Sequence, residues 1–149
     1  MATVLLVEDV PDLGLYEAGL LEQAGHRVIR CGGGPTPFAA CPMLKYGACP
    51  LADAAELIVF SCPLFGPIRG RTYRGIHLLK AYRAHPVYGR RPMLVVSVGS
   101  PDDVGGRGPM EAIEKYSGAQ AVTSAVERLL GTGKGGRGTR SAPSVKAAS

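Results

Sequence analysis

Apolar positions along the chain fall into short continuous runs that alternate with stretches of helical period. Thr3 to Val7 ("TVLLV") has the length and continuity of a strand covered on both faces. Glu8-Asp9 follows, and then Pro11 to Gly25, where Leu13, Tyr16, Leu20 and Leu21 recur at helical spacing and predict the packed face. Pro11 suits a helix start, where its missing N–H costs little, and Gly25 suits a helix end. Further strands are predicted over His26–Cys31 ("HRVIRC"), Glu56–Ser61 ("ELIVFS") and Pro92–Val98 ("PMLVVSV"), with a weaker fifth over Met110–Lys115 ("MEAIEK"). Gly75–Ala84 predicts a helix with Ile76, Leu79 and Tyr82 close to one face. Ala119–Leu130 predicts a last helix packing through Val122, Val126, Leu129 and Leu130.

Strands that alternate with helices predict an α/β fold, a parallel sheet with helices on both faces. Ligands and chemistry gather at the carboxyl ends of such strands. Glu8, Asp9, Cys31, Ser61, Cys62, Ser97 and Lys115 all fall at those ends. Two stretches break the rhythm. The Cys-, Pro- and Gly-rich segment at about 32–54 is too poor in helix formers for an ordinary crossover, and a partly irregular connection with one helical turn is expected. "GSPDDVGGRG", after the fourth strand, is too short and too glycine-rich for a full helix.

Charge changes this picture little. The net charge of +5 could suggest nucleic acid, but residues 131–149 hold four basic residues and no acidic ones, leaving 13 basic against 12 acidic in residues 1–130. The expected organisation is one nearly neutral domain over 1–130 and a disordered basic tail over 131–149, too short for a DNA-binding domain. No run approaches the roughly 18 apolar residues of a membrane span, and no signal-peptide pattern opens the chain, so a cytoplasmic location is expected.

With the motifs in this order, the sequence resembles the receiver domain of bacterial response regulators. "VLLVEDVPDLGLYEAGLLEQAGHRV" is similar to that family's first strand, acidic pair and first helix. "LIVFS", "GIHLLKAYRAHP", "PMLVVSV" and "GPMEAIEKY" stand where the family has its third strand, third helix, fourth strand and lysine segment. The resemblance implies a flavodoxin-like, doubly wound five-stranded parallel sheet, with the second crossover and fourth helix remodelled. It implies that Glu8 and Asp9 match the cation-holding carboxylates, Ser97 the hydroxyl that senses the phosphoryl group, and Lys115 the cation that pairs with it. Ser61 falls where the phospho-accepting aspartate belongs.

That departure has chemical consequences. A serine hydroxyl, unlike a carboxylate, needs a base before it can attack a phosphoryl group, and no histidine lies in the matching segments. One carboxylate fewer also weakens a hard-cation site, so Mg²⁺ is expected to bind weakly at most. The family's aromatic rotor, three positions before the lysine, is Ala112 here, and a six-residue excess around "FGPIRGRTYRG" carries the basic cluster Arg69, Arg71 and Arg74. The expected function is a non-enzymatic pseudo-receiver, acting without phosphorylation through a protein partner such as a histidine kinase, another regulator or a second copy of itself. Neither membrane nor specific DNA binding is expected.

The competing reading rests on Cys31, Cys41, Cys49 and Cys62, spaced C-x9-C-x7-C-x12-C, which matches no common metal-site spacing. Three are followed by proline, which could hold a thiolate outward, and the strand-end positions could bring all four together. In this alternative a cysteine-based sensor binds zinc, an iron–sulfur cluster or haem, or changes redox state. Inert buried thiols and a Cys41–Cys49 disulfide are the remaining options. His26, His77 and His85 share no spacing and are expected at the surface or as caps.

Overall fold

A computed structural model of the protein describes residues 1–31, 41–65, 75–98 and 104–135, without the side chains of 132–135. The Arg69, Arg71 and Arg74 cluster and residues 136–149 of the predicted tail lie outside the described residues. Five parallel strands, β1 (Thr3–Val7), β2 (Arg27–Cys31), β3 (Leu57–Phe60), β4 (Met93–Ser97) and β5 (Met110–Glu114), form one sheet in the order β2-β1-β3-β4-β5. The helices are α1 (Pro11–Gln23), the short α2 (Pro42–Tyr46) and α3 (Pro50–Asp53), α4 (Gly75–Ala84) and α5 (Ala119–Gly135), with a 3₁₀ turn at Tyr88–Arg90. This is the α/β architecture that the alternation of elements predicts, with the flavodoxin-like sheet that the resemblance implies.

The continuous apolar runs arise because β1, β3 and β4 are central and covered on both faces. One face, with Leu5, Val7, Ile58, Phe60, Met93 and Val95, packs beneath α4, Tyr88 and the α2–α3 segment. The other, with Val4, Leu6, Leu57, Val59, Leu94 and Val96, packs beneath α1 and α5. Burying each such side chain contributes about 1.5–3 kcal/mol. Register then levels the carboxyl ends: Val7 lies beside both Cys31 and Phe60, and Ser97 beside Glu114.

Three expectations are corrected. The packed face of α1 is Gly14, Glu17, Ala18 and Leu21, whereas Tyr16 is 57% exposed and Leu13 and Leu20 only half-buried. Helical period alone fixes spacing and not rotation, and here the helix turns its small residues to the sheet. The Cys/Pro-rich connection holds two short helices, each begun by a Cys-Pro step with proline in the first turn. Finally, α5 continues to Gly135, so residues 131–135 are helical.

No helix among the described residues lies between β4 and β5; Val104, 6% exposed, joins the core there. Ala112 on β5 and Val98 after β4 are exposed beside that gap. No helix among the described residues is long and apolar enough to cross a membrane.

Candidate functional site

Glu8 follows β1 and is 1% exposed. Its backbone N–H donates to Cys31 O at 3.1 Å, extending the sheet, and its Oε2 accepts the Val10 N–H at 3.0 Å. Ser61 follows β3 and is fully buried, its N–H donating to Val7 O at 2.8 Å. Lys115 follows β5, its N–H donating to the carbonyl of buried Ser97 at 2.8 Å. The sheet thus brings Glu8, Ser61, Ser97 and Lys115 to one edge, with Asp9 next to Glu8.

The Lys115 ammonium reaches inward and is fully matched. It donates to Ser61 O at 2.7 Å, to Glu8 Oε1 at 3.1 Å and to Ser61 Oγ at 3.2 Å, three acceptors for three N–H groups. The Glu8–Lys115 ion pair is buried, with 1% and 12% of the side chains exposed. Such pairing offsets the desolvation that an isolated buried carboxylate would suffer.

Glu17, which the helical-period reading of α1 passed over, completes the cluster. Ser61 Oγ donates to Glu17 Oε2 at 3.1 Å, and Glu17 is 5% exposed. The close approach of α1 depends on Gly14, where an added Cβ would stand 3.3 Å from Glu8 Cγ. Burial first, and then the neighbouring Glu8 carboxylate, push the Glu17 carboxyl up to about 8, so it is mostly protonated at neutral pH. In that form it can donate to Glu8 while still accepting from Ser61. The available signal was its place four residues before Leu21, on the same helical stripe.

Asp9 is half-buried, and its carboxyl is raised by burial and by a hydrogen bond with Glu8. A magnesium ion does not fit this arrangement. Glu8 is taken by Lys115 and the Val10 amide, and no group of three His, Cys, Asp or Glu side chains among the described residues is placed to hold a metal ion. Ser61 has a carboxyl acceptor and an ammonium donor beside it, the polarising elements of a nucleophile. Its complete burial keeps a substrate from its hydroxyl. A groove of about 240 Å³ between α1 and the β5–α5 turn reaches Glu17 and Lys115 from the side, walled by Leu13, Tyr16, Leu20 and Tyr116.

The four cysteines share one core and no common edge. Cys41, Cys49 and Cys62 are buried in the α4-side core with Cys31 packed against it, and no disulfide joins them. Cys62 Sγ lies 3.7 Å from Val7 O at the carboxyl end of β1. Cys49 lies toward the opposite end, its N–H donating to the Tyr88 hydroxyl at 3.1 Å, just before β4. Packing turns these thiols inward: Cys41 and Cys49 precede helical turns whose inner faces are core. Burial raises the Cys41 thiol and raises Cys62 further. His26, expected at the surface or as a cap, is 7% exposed, its Nδ1 accepting the Ala2 N–H at 3.2 Å and its Nε2 2.8 Å from Glu127.

No family model matches the chain, and no curated protein matches it. Its fold is similar to solved receiver domains. The receiver domain of a signal transduction histidine kinase from Syntrophus aciditrophicus superposes with a TM-score of 0.63 at 18% identity, covering 99% of both chains. The receiver domain of the Francisella response regulator 1452 gives 0.61 at 16% identity, over 90% of this chain and 100% of that one. The chemotaxis protein CheY4 of Vibrio cholerae gives 0.59 at 19% identity, over 87% and 98%. At these identities the likeness is one of fold, and with the strand order it places the chain among receiver-like α/β structures.

Proposed function

We propose that the chain is a non-enzymatic receiver-type signalling module that works without phosphorylation, through contact with a protein partner. The observation that carries this reading is Ser61: it follows the third strand, where the resemblance puts the acceptor, is fully buried, and its hydroxyl is held between Glu17 and Lys115. In an acceptor site the lysine must be available for an incoming phosphoryl group, whereas here its three donors are satisfied internally. Glu17 returns a third carboxyl to the pocket in a form mostly protonated at neutral pH, so it adds little of the charge that a divalent cation seeks. The exposed side chains of Val98, Ala112 and Tyr116, on and just after β4 and β5, support contact with another protein as the output. The partner classes that fit are a histidine kinase, another regulator or a second copy of the chain.

The test is incubation of the full chain with acetyl phosphate and Mg²⁺, read by intact mass, with Ser61→Ala alongside. No added phosphoryl mass on either protein is the expected result. A phosphoryl mass gained by the wild type and lost in Ser61→Ala overturns the proposal.

A further inference from the structure

At the edge of the sheet opposite Glu8 and Ser61, α4 ends and the chain turns through Tyr88–Arg90 toward β4, facing the segment that leads into β5. Between them lies a pocket of about 400 Å³, within the range of small-ligand sites. Arg83, from the last turn of α4, is 5% exposed. Its Nε donates to Gly105 O at 2.9 Å and its Nη2 to Gly108 O at 3.0 Å. The remaining nitrogen, Nη1, is equally buried and has no hydrogen-bond partner among the described residues. A guanidinium is always charged, and a buried donor left unmatched is costly, so this nitrogen calls for an acceptor.

The surroundings are built for an anion. Arg90 and Arg107 also line the pocket, both exposed, and no carboxylate among the described residues lines it. Burial lowers the protonation constant of Arg83. His85 lines the pocket as well; its Nδ1 accepts the N–H groups of Val87 and Tyr88, both at 3.1 Å, which leaves the proton on Nε2 as a further donor. Two glycines keep the walls close. A Cβ at Gly89 would stand 2.1 Å from Arg83 O, and one at Gly106, where φ is +85°, 2.5 Å from Arg83 Nε. The two carbonyls and Gly106 thus hold the guanidinium, with Nη1 its one nitrogen unmatched among the described residues.

We propose that this pocket binds a small phosphate-bearing anion, with Arg83 Nη1 as its buried donor and Arg90 and Arg107 as charged walls. Arginine presents paired donors to the oxygens of a phosphate, and three arginines, with no carboxylate among the described lining residues, favour a multiply charged group over a single carboxylate. The pocket lies at the opposite edge of the sheet from Ser61, and none of its described lining residues touches Ser61, Glu17 or Lys115 through a hydrogen bond.

Isotope-labelled full chain, titrated with inorganic phosphate, pyrophosphate and ADP at constant ionic strength, tests this. The expected result is saturable movement of the Gly89, Gly106 and Arg107 amide resonances, with pyrophosphate tighter than phosphate. Tighter binding of ADP than of pyrophosphate supports a nucleotide as the ligand, and equal binding supports recognition of the phosphates alone. Arg90→Gln and Arg107→Gln, both at exposed positions, should each weaken pyrophosphate about tenfold, as loss of a charged hydrogen bond does. Arg83→Met also releases the Gly105 and Gly108 carbonyls, so the exposed pair carries the test. No saturation below about 10 mM, a response that chloride reproduces, or unchanged affinity in the Arg90→Gln/Arg107→Gln double variant overturns the proposal.

Discussion

Replacing Glu17 by glutamine should make the protein more stable at neutral and mildly alkaline pH and should flatten its stability against pH. Glutamine keeps the shape, offers its amide to Glu8 and can still accept from Ser61 Oγ, but it never ionises. In the wild type the carboxyl rises from 4.5 to about 8, mainly through burial. Between these values the folded state holds a proton that the unfolded state has released, so stability is complete below about pH 4.5 and is lost as pH rises toward 8. The slope approaches 1.4 kcal/mol per pH unit within that window, so from about pH 5.5 to about pH 7.5 the wild type should lose up to about 3 kcal/mol that Glu17→Gln retains. Urea denaturation of both proteins across this range measures the difference directly, because other titrating groups are common to both and cancel. Parallel stability curves, or a Glu17→Gln advantage that shrinks as pH rises, would refute a buried, proton-holding Glu17.

Lys115→Met leaves Glu8 buried without its counter-charge and should cost about 3–5 kcal/mol at neutral pH, read by urea midpoint; a cost below about 1 kcal/mol would show that the pair is solvated. Among the thiols, half-buried Cys31 should react first with an aromatic disulfide reagent in the native protein, while Cys41, Cys49 and Cys62 wait for unfolding. Four equally fast thiols would reopen the cysteine-sensor alternative. Tyr88→Phe removes a hydroxyl that accepts the Cys49 N–H at 3.1 Å and has Asp53 Oδ1 at 2.5 Å and Cys49 O at 3.0 Å as acceptors for its one proton, and should cost about 1–3 kcal/mol in thermal or urea unfolding.

The sequence by itself determined most of the elements. Continuous apolar runs of strand length, bounded by turn residues and alternating with helical periods, point to central parallel strands, so β1 was legible to the residue and β3 and β4 to within one residue at each end. Strand-end logic also placed Glu8, Ser61, Ser97 and Lys115 on one edge, because parallel register levels the carboxyl ends. What only the tertiary structure decided is which face of α1 turns inward, and with it the chemistry of the pocket. Period sets the spacing of a stripe, but rotation is settled by the close approach that Gly14 permits over Glu8, and that approach carries Glu17 to the Ser61 hydroxyl. The direction of the Cys-Pro thiols was likewise undetermined, since proline fixes where a helical turn begins and packing chooses which side becomes core. The arginine pocket had no linear signal, because Arg83 and the Gly105–Gly108 carbonyls are distant in sequence and meet only where α4 ends beneath β4 and β5.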